Sequence, residues 1–259
     1  MQMLELVHSV CLEADNKYFS RRRVLSSKLL VLLIFKLILS KNKQGYGSII
    51  SDFWEECRVR KIALPSNKPV TASSFCESRT KLNSQVFVEL NERFVNVLSE
   101  KSEEDVSKWN GYKPFAVDGS NLNLPRELIS SGYSLPRSDA YYPQGKLSCL
   151  YHLKLGVAYS FLLSSNKNER KLAESHFPSL GPKDVVVYDR GYFAYGLMKR
   201  HNDNGLNYVM RLSDETFFKE IKDFIESTKT DSVVTINPIS RRRKKIRLNY
   251  PDLESQDII

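Results

Sequence analysis

The sequence predicts an α+β or α/β chain, with a helical N-terminal part followed by a mixed sheet with flanking helices. Over residues 1 to about 105, apolar side chains recur at helical spacing, as at Val86, Leu90, Phe94, Val97 and Leu98. Glycine is scarce there apart from Gly45 and Gly47, which flag a turn. From Gly111 onward the pattern changes. Short β-forming runs (FAVD, CLYHLKLGVAYSFLL, DVVVYD and GLNYVMRL) alternate with helical stretches (NERKLAESHF and FAYGLMKRHND), an order that builds a mixed sheet.

The apolar run Leu29–Leu39 contains Lys36 and is too short to cross a membrane, which takes roughly 20 apolar residues. It follows Arg21, Arg22 and Arg23 as a signal peptide's apolar stretch would. Those arginines lie far from the start, however, and no small-residue cleavage site follows. A core helix and a cytoplasmic protein are expected. Ser66–Val70, with Pro69, reads as a loop. Ser74 followed by Glu77 matches a capping box and places a helix start near Phe75. Arg79 and Lys81 suit a helix that enters a DNA groove, and equally the solvated face of a structural helix.

In the second part, FAVDGSNLNLP reads as a short strand that ends in a turn. Gly156 marks a bend or bulge within one or two further strands, and Pro178, Gly181 and Pro182 punctuate a loop. DVVVYD suits a strand buried on both faces, and Gly205 sits where a helix C-cap is expected. FFKEIKDFIES reads as a helix and SVVTINP as a strand. The basic run Arg241, Arg242, Arg243, Lys244 and Lys245 is either a phosphate-binding segment or a solvated loop. The expected division is 1–108, a helical DNA-binding region; 109–212, the sheet domain; and 213–259, the start of an inserted region.

Lys and Arg number 39 against 30 acids, a net charge of +9. That surplus suits a polyanion, most commonly nucleic acid, or marks a soluble protein that is simply basic. Cys11, Cys57, Cys76 and Cys149 form no CxxC pair and no Cys/His cluster, which argues against a zinc site and fits a reducing compartment. His8, His152, His176 and His201 are scattered, and core or surface roles suit them better than catalysis.

Asp118 ends FAVD and Asp189 ends VVVYD, each where a strand emerges beside a turn. Sites in open α/β sheets lie at the carboxyl ends of strands. If the two strands are neighbours, both carboxylates face one crevice and offer the oxygen ligands that a hard cation such as Mg²⁺ requires. Two ions roughly 4 Å apart can hold a scissile phosphodiester. A turn former or helix N-cap is the alternative role for each aspartate.

The blocks FAVDGSNLNLP and VVVYDRGYFAYGLMKR resemble insertion-sequence transposases of the DDE superfamily, in the branch called IS-four, and Asp-Arg-Gly-Tyr at 189–192 is a marker of that branch. NERKLAESHF and the downstream order NYVMRL, FFKEIKDFIES, VVTINP extend the resemblance over roughly 112–240, with a fainter likeness over 18–100. The resemblance implies a ribonuclease-H-like catalytic core and Asp118 and Asp189 as the first two catalytic, metal-binding acids. It also implies Mg²⁺ (or Mn²⁺) as cofactor, double-stranded DNA at transposon ends and target as partner, and a homodimer on DNA. Arg190 and Tyr192 match the motif without an assigned role. Arg190 is placed to meet a phosphate or to brace an acidic neighbour.

The family's third carboxylate lies in a Tyr-x₂-Arg-x₃-Glu-x₆-Lys pattern on one helix. Tyr208, Arg211, Glu215 and Lys222 fit the spacing, but Tyr208–Leu212 reads as a strand, which destroys the common helical face. The expected position of the Glu is therefore beyond Ile259, in a chain that is shortened and impaired in strand transfer. Two other readings stand beside this one. A haloacid-dehalogenase-type phosphatase would require a nucleophilic Asp at position 116, which is Ala. A non-catalytic DNA-binding regulator, or an inhibitor of intact transposase, would require specific DNA binding without cutting.

Overall fold

The computed structural model describes residues 2–14, 19, 23–40, 45–101, 108–212 and 219–234. The chain divides into two compact units, Met1–Val97 and Leu98–Ile259.

The first unit is helical throughout its described elements: α1 (Gln2–Ala14), α2 (Ser27–Leu39), α3 (Tyr46–Val59), α4 (Ala72–Arg79) and α5 (Gln85–Lys101), the last of which runs across the division between units. The apolar run forms α2. The Ser26 hydroxyl caps it by accepting from the Leu29 N–H at 3.3 Å. Leu29, Leu30 and Leu33 of α2 pack with Ile50, Trp54 and Phe75, and Val31 packs with Val7, Val10, Val86 and Leu90. This burial on two sides explains a helix that is apolar almost all round. Among the described residues no helix is long and apolar enough to cross a membrane.

One expectation for α4 is corrected. Its cap is Thr71, whose hydroxyl accepts from the Ser74 N–H at 3.2 Å, so the helix begins at Ala72 rather than near Phe75. Leaving the extended stretch after Pro69, Thr71 is the first hydroxyl residue the chain meets, and Ser74 lies inside the first turn. The charges of α4 and its end are also engaged within the unit. Lys81 pairs with Glu77 at 2.6 Å, and Arg79 donates to the Tyr46 hydroxyl at 3.2 Å while lying over the Tyr46 ring.

The second unit is built on one five-stranded sheet of order β3-β2-β1-β4-β5: β1 (Lys113–Asn123), β2 (Gln144–His152), β3 (Val157–Ser164), β4 (Asp184–Tyr188) and β5 (Asn207–Met210). β1, β2 and β3 are antiparallel neighbours, while β4 joins β1, and β5 joins β4, in parallel. The mixed order follows from the connections. A tight turn with Gly156 at φ +69° joins β2 to β3, whereas α7 (Tyr195–Asp203) carries the crossover from β4 to β5. α6 (Glu169–Glu174) precedes β4, and α8 (Lys219–Glu226) follows β5. The fold is thus α+β, helices first and then a mixed five-stranded sheet flanked by helices.

One face of the sheet is packed. Phe115 and Val117 of β1, Leu150 of β2, and Val186 and Tyr188 of β4 bury against Ala173 of α6, Tyr192, and Leu197 of α7. Three buried histidines belong to this side. His176 lies between the hydroxyls of Ser148 (3.1 Å) and Ser160 (3.2 Å), His201 meets the Tyr188 hydroxyl at 2.9 Å, and the His152 ring lies 4.7 Å from that of Phe115. Burial depresses the pKa of both His176 and His201 to about 4.

Three further expectations are revised. β1 does not stop at Asp118: it continues to Asn123, paired with β2 as far as Asn123↔Gln144. β4 is not buried on both faces, since Val187 is 36% exposed between buried Val186 and Tyr188. In the segment expected as a strand, Ser232–Val234 form none, and Thr235–Pro238 lie outside the described residues. Arg241–Lys245 lie outside them as well.

Candidate active site

The geometry of the site follows from alternation along two neighbouring strands. In β1, Phe115 and Val117 point into the core, so Asp118 projects from the opposite face and is exposed. In β4, Val186 and Tyr188 point into the core and Val187 away from it. Asp189 follows with extended backbone (φ −72°, ψ 164°), which turns it to the side of Val187. The parallel pairing runs from Lys113↔Asp184 to Ala116↔Val187. Continued at the same offset, it sets Asp118 level with Asp189. The strands part just there, because β1 carries on with β2 while β4 turns away. Asp118 therefore lies mid-strand with respect to β2, and just past the last rung with respect to β4.

Neither aspartate acts as a side-chain cap. Asp189 occupies the N-cap position of the single 3₁₀ turn Arg190–Tyr192, but its carboxylate makes no capping bond; its carbonyl accepts from the Tyr192 N–H at 3.0 Å. Asp118 accepts from the Gly119 N–H at 2.8 Å. Across the β1–β2 ladder it faces Cys149, whose thiol is pushed up first by burial and then by the Asp118 charge. Cys149 is thus a neutral thiol at neutral pH, and the hard donors on this face are the two carboxylates. Oxygen donors at adjacent strands suit Mg²⁺ or Mn²⁺. Among the described residues no group of three His, Cys, Asp or Glu side chains converges as a metal site. Glu215 lies outside the described residues. Tyr208 lies on β5 and Lys222 on α8, so the Tyr/Arg/Glu/Lys spacing does not share one helix.

On the packed side of the same two segments lies a polar group that the sequence reading did not single out. Lys146 of β2 is 8% exposed and donates to Glu169 Oε1 at 2.6 Å. Glu169 opens α6, where the Asn168 side chain caps by accepting from the Arg170 and Lys171 N–H groups. Glu169 leans over β1 at Gly119: a Cβ added there would lie 3.3 Å from Glu169 Oε1 and 3.4 Å from the Tyr192 hydroxyl. Arg170 reaches the turn after Asp189, donating from Nη2 to the Gly191 carbonyl at 2.9 Å and from Nε to the Tyr192 carbonyl at 3.3 Å. Burial, then Glu169, then Asp118 push the Tyr192 phenol well up, so it is a neutral hydroxyl. The available signal was Lys146 itself. A lysine at a core-facing position of QGKLSCLYH requires a buried partner.

The model of the transposase DDE domain matches residues 109–256, which include the whole sheet. The transposase InsG for insertion sequence element IS4 of Escherichia coli (strain K12) is 24% identical over 250 residues, covering 92% of this chain and 52% of that protein. The chain thus spans about half the length of the curated relative it matches. A cryo-EM structure of a piggyBac transposase synaptic complex with hairpin DNA aligns over 90% of this chain and 52% of its own, at 11% identity and a TM-score of 0.38, a likeness too distant to carry an argument. The domain match covers more than half of the sequence and takes in both aspartate strands, and on that ground the chain belongs to the transposase DDE domain family.

Proposed function

We propose that Asp118 and Asp189 are two of the three carboxylates of a DDE transposase site, which acts with Mg²⁺ or Mn²⁺ on double-stranded DNA at transposon ends. The observation that supports this best is the parallel pairing of β1 with β4, which, continued past its last rung, sets Asp118 on β1 level with Asp189 directly after β4. Paired strands lie roughly 5 Å apart, close enough for two carboxylates on one face to share a cation. When bound, a metal pair supplies Lewis-acid activation of the attacking hydroxyl and neutralises charge at the leaving oxygen. The chain's own part is to hold one carboxylate on β1 and the other directly after β4, and to offer an exposed face to the phosphate backbone. Its net charge of +9 draws DNA to it.

Tyr208 lies on a strand, which speaks against Glu215 as the third ligand, and on this proposal residues 1–259 do not by themselves complete the set. A cytoplasmic setting and a homodimer on DNA complete the proposal. The test is a nicking and strand-transfer assay on element-end DNA with Mg²⁺. Residues 1–259 alone are expected to give little strand transfer, and any nicking disappears with Asp118→Asn. Robust cleavage that survives Glu215→Ala overturns the account of the third ligand. Cleavage indifferent to Asp118→Asn overturns the site. Specific binding to element ends by residues 1–105, with no metal-dependent cutting by the full chain, favours the regulator or inhibitor role.

A further inference from the structure

We propose that Glu169 and Arg170, in the first turn of α6, form a positioning clamp that fixes the segment bearing Asp118 against the segment bearing Asp189. The inference deepens the site reading above and rests on it. Asp118 sits on β1 and Asp189 directly follows β4, and the ladder between these strands ends two residues earlier, at Ala116↔Val187, so backbone pairing between β1 and β4 does not hold the two in register. Something else must, if two carboxylates are to meet one ion within the few tenths of an ångström that metal geometry allows.

The described contacts supply such a brace from the packed side. Arg170 spans two successive carbonyls, of Gly191 and Tyr192, in the turn that Asp189 opens. A planar guanidinium with several donors fixes such a turn in a way that a single ammonium does not. Glu169, one residue earlier, bears on β1 at Gly119, the residue after Asp118, where the absence of a side chain permits the approach. Its own carboxylate is tied down by the buried Lys146 on β2. One helical turn thus touches both aspartate segments through adjacent residues. Because Asp118 projects from the other face of β1, Glu169 and Arg170 act on the site through the backbone.

Arg170 makes the test discriminating. Long-range electrostatics alone predicts that removing a cation near the carboxylates strengthens divalent-ion binding. A clamp predicts the opposite. Mn²⁺ is titrated into the intact 259-residue chain, free Mn²⁺ being read by electron paramagnetic resonance, for wild type, Asp118→Asn, Asp189→Asn, Arg170→Ala, Arg170→Lys and Arg170→Ala/Asp189→Asn. Thermal unfolding checks that each variant is folded. Arg170→Ala is expected to weaken Mn²⁺ binding by about tenfold, the lower end of what loss of a supporting contact costs a metal site. Arg170→Lys, which keeps the charge but loses the fork, is expected to weaken it nearly as much, and it serves as the readout if Arg170→Ala does not fold. The double variant is expected to bind no more weakly than Asp189→Asn alone, because the clamp acts through that ligand. Wild-type or tighter binding by Arg170→Lys, or full additivity in the double variant, overturns the clamp and leaves the site standing. Wild-type binding by both Asp118→Asn and Asp189→Asn overturns the site reading, and the clamp with it.

Discussion

The two faces of the sheet differ sharply. The packed face carries Phe115, Val117, Leu150, Val186 and Tyr188, each at most 4% exposed, beneath Ala173, Tyr192 and Leu197. On the open face, Tyr151, Phe161, Leu163, Val187 and Val209 are between 36% and 48% exposed, and Asp118 projects among them. Stability is concentrated on one side, and the candidate chemistry occupies the other. A strand such as β1 serves both by alternation, with Val117 structural and Asp118 free for a ligand. The contrast also separates polar groups by role. On the packed face Lys146 pairs with Glu169 and Ser148 with His176, whereas the open-face aspartates have no comparable ion pair among the described residues.

The largest expected effect falls on the open face and leaves the fold alone. Asp118→Asn or Asp189→Asn should cut Mn²⁺ affinity on the order of a hundredfold, as loss of a direct ligand costs at least as much as loss of its support. Chemical denaturation should show stability within about 0.5 kcal/mol of wild type, as for an exposed substitution. A parallel loss of stability would mean that the open face is structural after all.

The packed face should in turn respond to pH. His176 and His201 have folded pKa values near 4, below an unfolded value near 6.5. The unfolded chain therefore binds more protons between those values, and folding is weakened as pH falls from about 6.5 towards 4. Between pH 7 and pH 5, each buried histidine should cost about 2 kcal/mol, read as a falling urea midpoint. A midpoint that rises or stays level over that range contradicts the burial account.

The smallest effect compares two neighbours on one strand. Val186→Ala removes two buried methyl groups and should cost about 2 kcal/mol. Val187→Ala, half-exposed on the other face, should cost less than about 1 kcal/mol. Equal costs in denaturant titrations would show that the open face is covered in solution.

Much of this was legible in the sequence. The switch from helical periodicity to short β runs near Gly111, the two aspartate strands and the crossover helix after Asp189 all follow from local patterns of apolar and turn residues. The extent of β1 was not legible. Its continuation past Asp118 is imposed by β2, a partner some twenty-five residues downstream, and no local signal announces that pairing. Nor was the open face of β4, since an apolar run of valines is compatible with burial on one side or two. Thr71 and Ser74 offer equivalent hydroxyls, and only the path of the chain after Pro69 selects between them. Glu169 and Arg170 read as ordinary first-turn residues of a helix until their distant neighbours Gly119 and Gly191 are known.

The most direct test of the central claim is anomalous diffraction from crystals of this chain grown with Mn²⁺. A peak roughly 2.1 Å from a carboxylate oxygen of both Asp118 and Asp189 is the predicted result. Mn²⁺ bound away from the sheet, or carboxylates turned apart with no shared ion between them, would contradict it.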